Sequence, residues 1–247
     1  MDNNTNWFAS WFDSPHYHIL YKNRDYKEAE YFLKKLTTYL KPKSTDKILD
    51  LACGAGRHSI YLNKLGFDVT GVDLSPNSIS VANESSNDRL HFDVHDMREI
   101  FKENGFNYIL NMFTSFGYFE TEEENIKMLK SVEQTLQPNG TFVLDFFNVH
   151  RVIRNLIKEE TKEIDGLQFK IRKKLVDGRI IKHINFTENN QSFSFQEKVQ
   201  AIDLIQFEHL FSLAGLKIMA TFGDYSLEKY NQQHSERLII IAQKTNG

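Results

Sequence analysis

Residues 48–83, ILDLACGAGRHSIYLNKLGFDVTGVDLSPNSISVAN, constrain the chain more than any other stretch. An apolar run over 47–53 meets the turn Gly54-Ala55-Gly56, a helical pattern over 57–65 stops at Gly66, and a second apolar run over 68–73 closes on Asp73. Strand, glycine turn, helix, strand and closing acid make a βαβ unit, in which the turn brings backbone N–H groups to a ligand at the strand ends. The alternation continues. Ser75 caps and Pro76 opens another helix, and strands are predicted over 90–94, 107–113 and 141–147. Thr121 and Glu124 form a capping box for a helix that turns Ile126, Leu129, Val132 and Leu136 inward. With closing strands over 216–222 and 237–242, this grammar predicts an α/β fold: a doubly wound, mostly parallel seven-stranded sheet.

The flanks read differently. Trp7, Phe8, Trp11, Phe12, Tyr17 and Tyr21 crowd the first stretch, which must bury somewhere, as a staple onto the core, as a lid over the ligand, or as both. From Asp25, with Glu28 as a second capping box, Ala29, Phe32, Leu33, Leu36 and Leu40 share one helical face until Pro42. Residues 167–199 alternate with period two and are cut at Asp177-Gly178 and Asn189-Asn190, which predicts a three-stranded antiparallel ribbon. Asp203 then caps a helix carrying Leu204, Phe207, Leu210 and Phe211. The expected organisation is a core of 1–149 plus 203–247 with an N-terminal aromatic and helical lid, interrupted by an antiparallel β insertion over 150–202. An insertion leaving the carboxyl end of a strand overlies the ligand crevice.

Composition narrows the function classes. Among 247 residues 40% are hydrophobic and 26% charged, an ordinary balance for a globular chain, and the net charge of −3 offers no global basic field for nucleic acid or anionic membrane. No apolar run approaches the length of a membrane span, so a cytoplasmic protein is expected. Cys53 is the single cysteine, which excludes an intrachain disulfide; inside the turn it serves packing better than nucleophilic attack. His91, Asp93 and His95 alternate on one strand, but nothing in the sequence completes a metal shell around them, and no metal is expected.

A dinucleotide fingerprint wants a third glycine where Ser59 stands, so the turn alone leaves the ligand open. The wider frame, Asp50 four residues before Gly54 and Asp73 closing the next strand, resembles class I S-adenosylmethionine-dependent methyltransferases. The resemblance covers roughly 46–148, with weaker support from GLKIMATFGDY and SERLIIIAQK. It implies S-adenosylmethionine as cofactor and S-adenosylhomocysteine as product, with Asp73 taking the ribose hydroxyls. Asp50, Ala52, Gly54 and Gly56 would form the turn around the methionine moiety and adenosine, and Leu74 would follow the ribose acid. Within HDMREI, Asp96 would accept from the adenine amino group and Met97 would meet the ring. The N-terminal segment is similar to enzymes of the glycine N-methyltransferase kind, which implies that Arg24 binds the cofactor carboxylate while Tyr17 and Tyr21 cover the sulfonium. An ion pair of Arg24 with Asp25 or Glu28 is the open alternative. Where that enzyme carries an arginine for its glycine carboxylate, this chain has Phe147, so glycine is not the expected acceptor.

Methyl transfer from a sulfonium needs collinear placement more than a catalytic motif. Topology nominates Phe113 to Ser115 as the lining of cofactor and methyl, Tyr118 as the group facing the acceptor, and His150 as a general base if one is needed. Asn148, Tyr225 and Arg237 are candidate substrate contacts, with Tyr230 and His234 near them. The cations Arg172, Lys173, Lys174, Arg179 and Lys182 read as a solvated face, an anion site or dimer contacts. The expected partner is a small-molecule acceptor, not a membrane, with nucleic acid disfavoured and a homodimer left open. Three rivals remain: a macromolecular methyltransferase, a non-catalytic adenosine-ligand sensor and, with least support, a nicotinamide-dependent oxidoreductase.

Overall fold

Ile48, Leu49 and Leu51 are all buried along strand β1 (Lys47–Leu51), as befits a strand covered by helices on both faces. In the computed structural model, which describes residues 11–21 and 26–245, β1 lies inside a seven-stranded sheet. To one side follow β2 (Asp68–Asp73) and β3 (Leu90–Val94). To the other lie β4 (Phe106–Asn111), β5 (Leu136–Phe147), β11 (Arg237–Lys244) and β10 (Leu216–Phe222). Only β11 runs against its neighbours. The strand order reverses at β1 and β4, where the connections part and open a crevice at the carboxyl ends.

Helices α2 (Tyr26–Leu40), α3 (Arg57–Lys64) and α4 (Pro76–Asn83) cover one face of the sheet through Phe32, Leu33, Leu36, Leu62 and Ile79. Helices α5 (Glu122–Thr135) and α7 (Leu204–Leu213) cover the other through Leu129, Val132, Phe207 and Phe211. Each such side chain, fully buried, stabilises the fold by about 1.5–3 kcal/mol. The capping boxes at Thr121 and Asp203 are both formed; the one expected at Asp25 lies outside the described residues. Helix α5 ends at Thr135, and β5 starts at Leu136, five residues earlier than its pattern suggested, because Leu136 pairs with Phe106 before Asn139, at φ 63°, breaks the register.

After helix α6 (Val149–Arg154) the insertion has four strands rather than three: β6 (Glu159–Ile164), β7 (Leu167–Val176), β8 (Arg179–Glu188) and β9 (Gln191–Gln200). The missed strand, EETKEI, is an edge whose charges hide its period; it pairs with β7 across a turn in which Asp165 and Gly166 both have positive φ. One face of this sheet, with Phe169, Ile171, Ile184 and Phe186, packs against Trp11 and Leu20 around helix α1 (Pro15–Tyr21). Trp11 and Leu20 of the N-terminal segment are therefore buried against this second sheet.

The insertion is fastened to the core at its root. Arg179 donates to the carbonyls of Phe119 (3.1 Å) and Glu120 (2.6 Å), Gln200 donates to Phe119 O (3.0 Å), and its backbone N–H to Gly117 O (2.8 Å). Most of the remaining cations of the basic run pair within the sheet: Arg172 with Glu159, Lys173 with Glu160, Lys182 with Glu197. Among the described residues no helix is long and apolar enough to cross a membrane.

Candidate methyl-donor site

The turn after β1 leaves the strand through three left-handed residues, Ala52, Gly54 and Gly56 (φ 64°, 56° and 80°). At Gly56 the absence of a side chain is a packing matter: a Cβ would lie 2.7 Å from Cζ of Phe92. At Gly54 a Cβ would meet no protein atom within 4 Å, so the backbone there faces open space. That space is a half-enclosed cavity of about 270 Å³. Ala52 and Gly54 border it, as do Asp73 and Leu74 after β2, Asp96 and Met97 after β3, and Phe113 to Ser115 after β4. Phe12, Tyr17 and Tyr21 come from the N-terminal segment, and Tyr118 from the loop held by the insertion.

Asp73 is oriented by two backbone donors, Gly54 N–H to Oδ2 (2.8 Å) and Ser75 N–H to Oδ1 (2.9 Å). Asp50 lies beneath the turn, 1% exposed, with Ser59 Oγ donating to Oδ2 at 2.6 Å and Oδ1 without a hydrogen-bond partner. Burial raises its pKa to about 6; Ser59 pulls it part of the way back, while the charge of Asp73 pushes it up further. Asp96 binds the Arg98 guanidinium with both oxygens, and Arg98 also reaches Glu124 at 2.6 Å. Burial acts to raise the Asp96 pKa, but Arg98 outweighs it, so the carboxyl stays below its usual range and ionised. Cys53 is buried, and desolvation, then Asp50 and Asp73, push its thiol well up, so it is no nucleophile.

The aromatic roof is a connected set. Tyr17 contacts Phe12, Trp11 and Tyr21 at ring-centroid distances of 5.0, 5.7 and 4.8 Å, and Phe12 meets Tyr118 edge-on at 5.2 Å. Tyr21 donates to both oxygens of Glu197 (2.7 and 2.9 Å) and receives Lys182. Burial, then the Glu197 charge, raise the Tyr21 pKa well above the ordinary phenol value, so this hydroxyl remains a donor. Asp13 clips the same segment to the start of α4, accepting from Ser75 Oγ at 2.5 Å and Asn77 Nδ2 at 2.8 Å.

Six expected site residues do not border the cavity: Asp50 and Gly56, beneath and within the turn, and Asn148, His150, Tyr225 and Arg237. Asn148 is wholly buried, its amide spent on Gln232 O (2.9 Å), Ser235 O (2.8 Å), Tyr230 Oη (3.3 Å) and the His150 N–H (3.2 Å), so it pins the 230–236 loop instead of touching a substrate. His150 is not part of the cavity wall; its ring meets Gln232 at 2.8 Å with Asp203 at 3.8 Å. Tyr225 and Arg237 also lie behind the wall, both bound to Asp145 (3.1 and 2.8 Å). Arg24 lies outside the described residues. Sequence reasoning missed Asp145 and Glu197, and His58 as lining. Asp145 did leave a signal, one acid inside the apolar run TFVLDFF. Among the described residues no three His, Cys, Asp or Glu side chains gather as a metal shell.

The donor set suits S-adenosylmethionine: an oriented acid at the end of β2, a second ionised acid after β3, and a glycine whose missing side chain leaves the cavity open. A methyltransferase-domain family matches residues 42–203. The Bacillus subtilis protein YqeM is 38% identical over 109 residues, 43% of this chain and 44% of that protein, so this match spans less than half of the relative. The glycine/sarcosine N-methyltransferase of Aphanothece halophytica is 26% identical over 227 residues, 90% of this chain and 83% of its own. The solved S-adenosylmethionine-dependent methyltransferase of Clostridium acetobutylicum superposes with a TM-score of 0.78 at 21% identity, over 98% of this chain and 99% of that one, a likeness of fold. Domain match and site agree, and the chain belongs to the class I S-adenosylmethionine-dependent methyltransferases.

Proposed function

We propose that this methyltransferase acts on a small-molecule acceptor seated beneath the aromatic roof. The observation that carries the reading is the enclosure: Phe12, Tyr17, Tyr21 and Tyr118 close over a floor of Gly54, Asp73 and Met97 in a cavity of about 270 Å³. A small molecule enters such a site whole, whereas a polymer would have to insert one side chain or an extruded base. The relative that acts on glycine and sarcosine, itself a small-molecule enzyme by name, supports the same class.

S-adenosylmethionine, when bound, supplies a methyl group already activated on a sulfonium. The work left to the chain is orientation, and well-oriented approach is worth about 7–11 kcal/mol. Asp73 would accept from the ribose hydroxyls, each bond to a charged acceptor being worth about 1.5–3 kcal/mol. Asp96 and Met97 would hold the adenine, and Tyr17 and Tyr21 would present ring faces to the cationic end. Tyr118 would border the acceptor.

Calorimetric titration with S-adenosylmethionine, S-adenosylhomocysteine and NAD, beside Asp73→Ala, tests the donor half. Micromolar affinity for the first two, lost in the variant, is expected. Release of S-adenosylhomocysteine in the presence of small amines, hydroxylated metabolites, peptides and RNA tests the acceptor half. Turnover with peptide or RNA alone would overturn the small-molecule reading.

A further inference from the structure

Two adjacent residues of the cavity wall, Phe113 and Thr114, hold left-handed backbone conformations (φ 56° and 62°), an arrangement that a phenylalanine and a β-branched threonine resist. Neither is a glycine, so something must hold them. The holder is one carboxylate at the end of β5. Asp145 Oδ2 accepts the Phe113 N–H at 2.9 Å, and its backbone carbonyl accepts the Thr114 N–H at 2.9 Å. Asp145 is wholly buried and does not border the cavity, whereas Phe113, Thr114 and Ser115 do.

The carboxylate is itself fixed from two sides. Arg237, from β11, donates Nε to Oδ1 at 2.8 Å and Nη2 to Thr114 Oγ1 at 3.1 Å; Tyr225 donates to Oδ2 at 3.1 Å. Phe113 in turn stacks on His58 (5.1 Å) and lies under the Arg57 guanidinium (4.4 Å), and both of these border the cavity. We propose that Asp145, locked by Arg237 and Tyr225, is the positioning residue of the methyl-donor pocket, holding the Phe113–Thr114 turn in the strained shape on which the wall of Phe113, Arg57 and His58 is built. It acts through the turn and touches no ligand.

The test compares the full chain with Asp145→Asn, Tyr225→Phe and a packing control, Leu238→Ala, which empties a buried site on β11 that does not itself border the cavity. Amide hydrogen exchange of the ligand-free protein is followed at 113–115 and at 47–51, beside the Kd for S-adenosylhomocysteine. In Asp145→Asn, exchange at 113–115 is expected to rise at least tenfold with 47–51 unchanged, and the Kd to weaken about tenfold. Tyr225→Phe, which removes one donor and leaves no charge unpaired, should show the same pattern at about threefold, and decides the matter if Asp145→Asn does not fold. Leu238→Ala should lower the Tm yet keep the Kd within twofold. Parent-like exchange at 113–115 in the folded Asp145 and Tyr225 variants, or a Kd loss no larger than in Leu238→Ala at matched loss of Tm, would overturn the proposal.

Discussion

The indole N–H of Trp11 donates to Oε1 of Glu197 over 2.8 Å, joining the start of the roof to the last strand of the insertion. The carboxylate also takes the Tyr21 hydroxyl and faces Lys182 at 3.3 Å, and both charged side chains are nearly buried, at 12% and 15% exposure. Removing the acid strands an indole, a phenol and an ammonium together. Glu197→Ala should cost about 3–5 kcal/mol, the usual penalty for breaking a buried pair. In a Trp7→Phe background, where Trp11 is the only indole, its emission should shift to the red, and S-adenosylhomocysteine should dissociate about tenfold faster. An unchanged spectrum would mean that the roof does not depend on this carboxylate.

Asp50 predicts a pH effect of defined sign. Its folded pKa of about 6 lies above the ordinary 3.8, so the folded state binds the extra proton between these values. Stability therefore falls as pH rises from about 4 to 6 and stays level above, by up to about 3 kcal/mol. Asparagine keeps an acceptor for Ser59 and has no charge to bury. Urea unfolding should show Asp50→Asn gaining on the parent between pH 4 and pH 7; a constant difference would contradict a raised pKa.

The two glycines of the turn should part company. Gly56→Ala drives a Cβ into Phe92 in a left-handed position, and should cost about 2–4 kcal/mol of stability. Gly54→Ala meets no protein atom, so it should cost only about 1–2 kcal/mol in stability while weakening donor affinity at least tenfold. Thermal melts beside calorimetry separate the two outcomes.

Asn148→Ala should behave as a fold variant, losing about 2–3 kcal/mol because several buried partners go unsatisfied. Its donor Kd should stay within twofold. A selective loss of activity at parental stability would return Asn148 to the substrate side.

Much of this was legible because it is local. Alternating strands and helices, caps such as Thr121 and Asp203, and the turn from Ala52 to Gly56 are written in neighbouring residues, so the sheet and the crevice at its strand ends could be read directly, while the ligand came from the resemblance. What lay across the chain could not. Asp145 meets Arg237 at a separation of 92 residues, and Tyr21 meets Glu197 at 176. Topology correctly brought Asn148, Tyr225 and Arg237 toward the carboxyl ends of the strands, but no periodicity tells whether such a side chain faces the cavity or the layer behind it. The strand EETKEI was hidden for another reason: an exposed edge has no apolar face to show.

The reversed strand β11 also ties the cavity wall to a distant part of the chain. Without it between β5 and β10, Asp145 would sit in the sheet without its cation, and the turn at Phe113 would lack Arg237. Closing a contact across so many residues carries a loop-entropy cost that neighbouring contacts do not. A change that loosens β11 is therefore expected to reach Phe113 and Thr114, although β11 itself lies behind them.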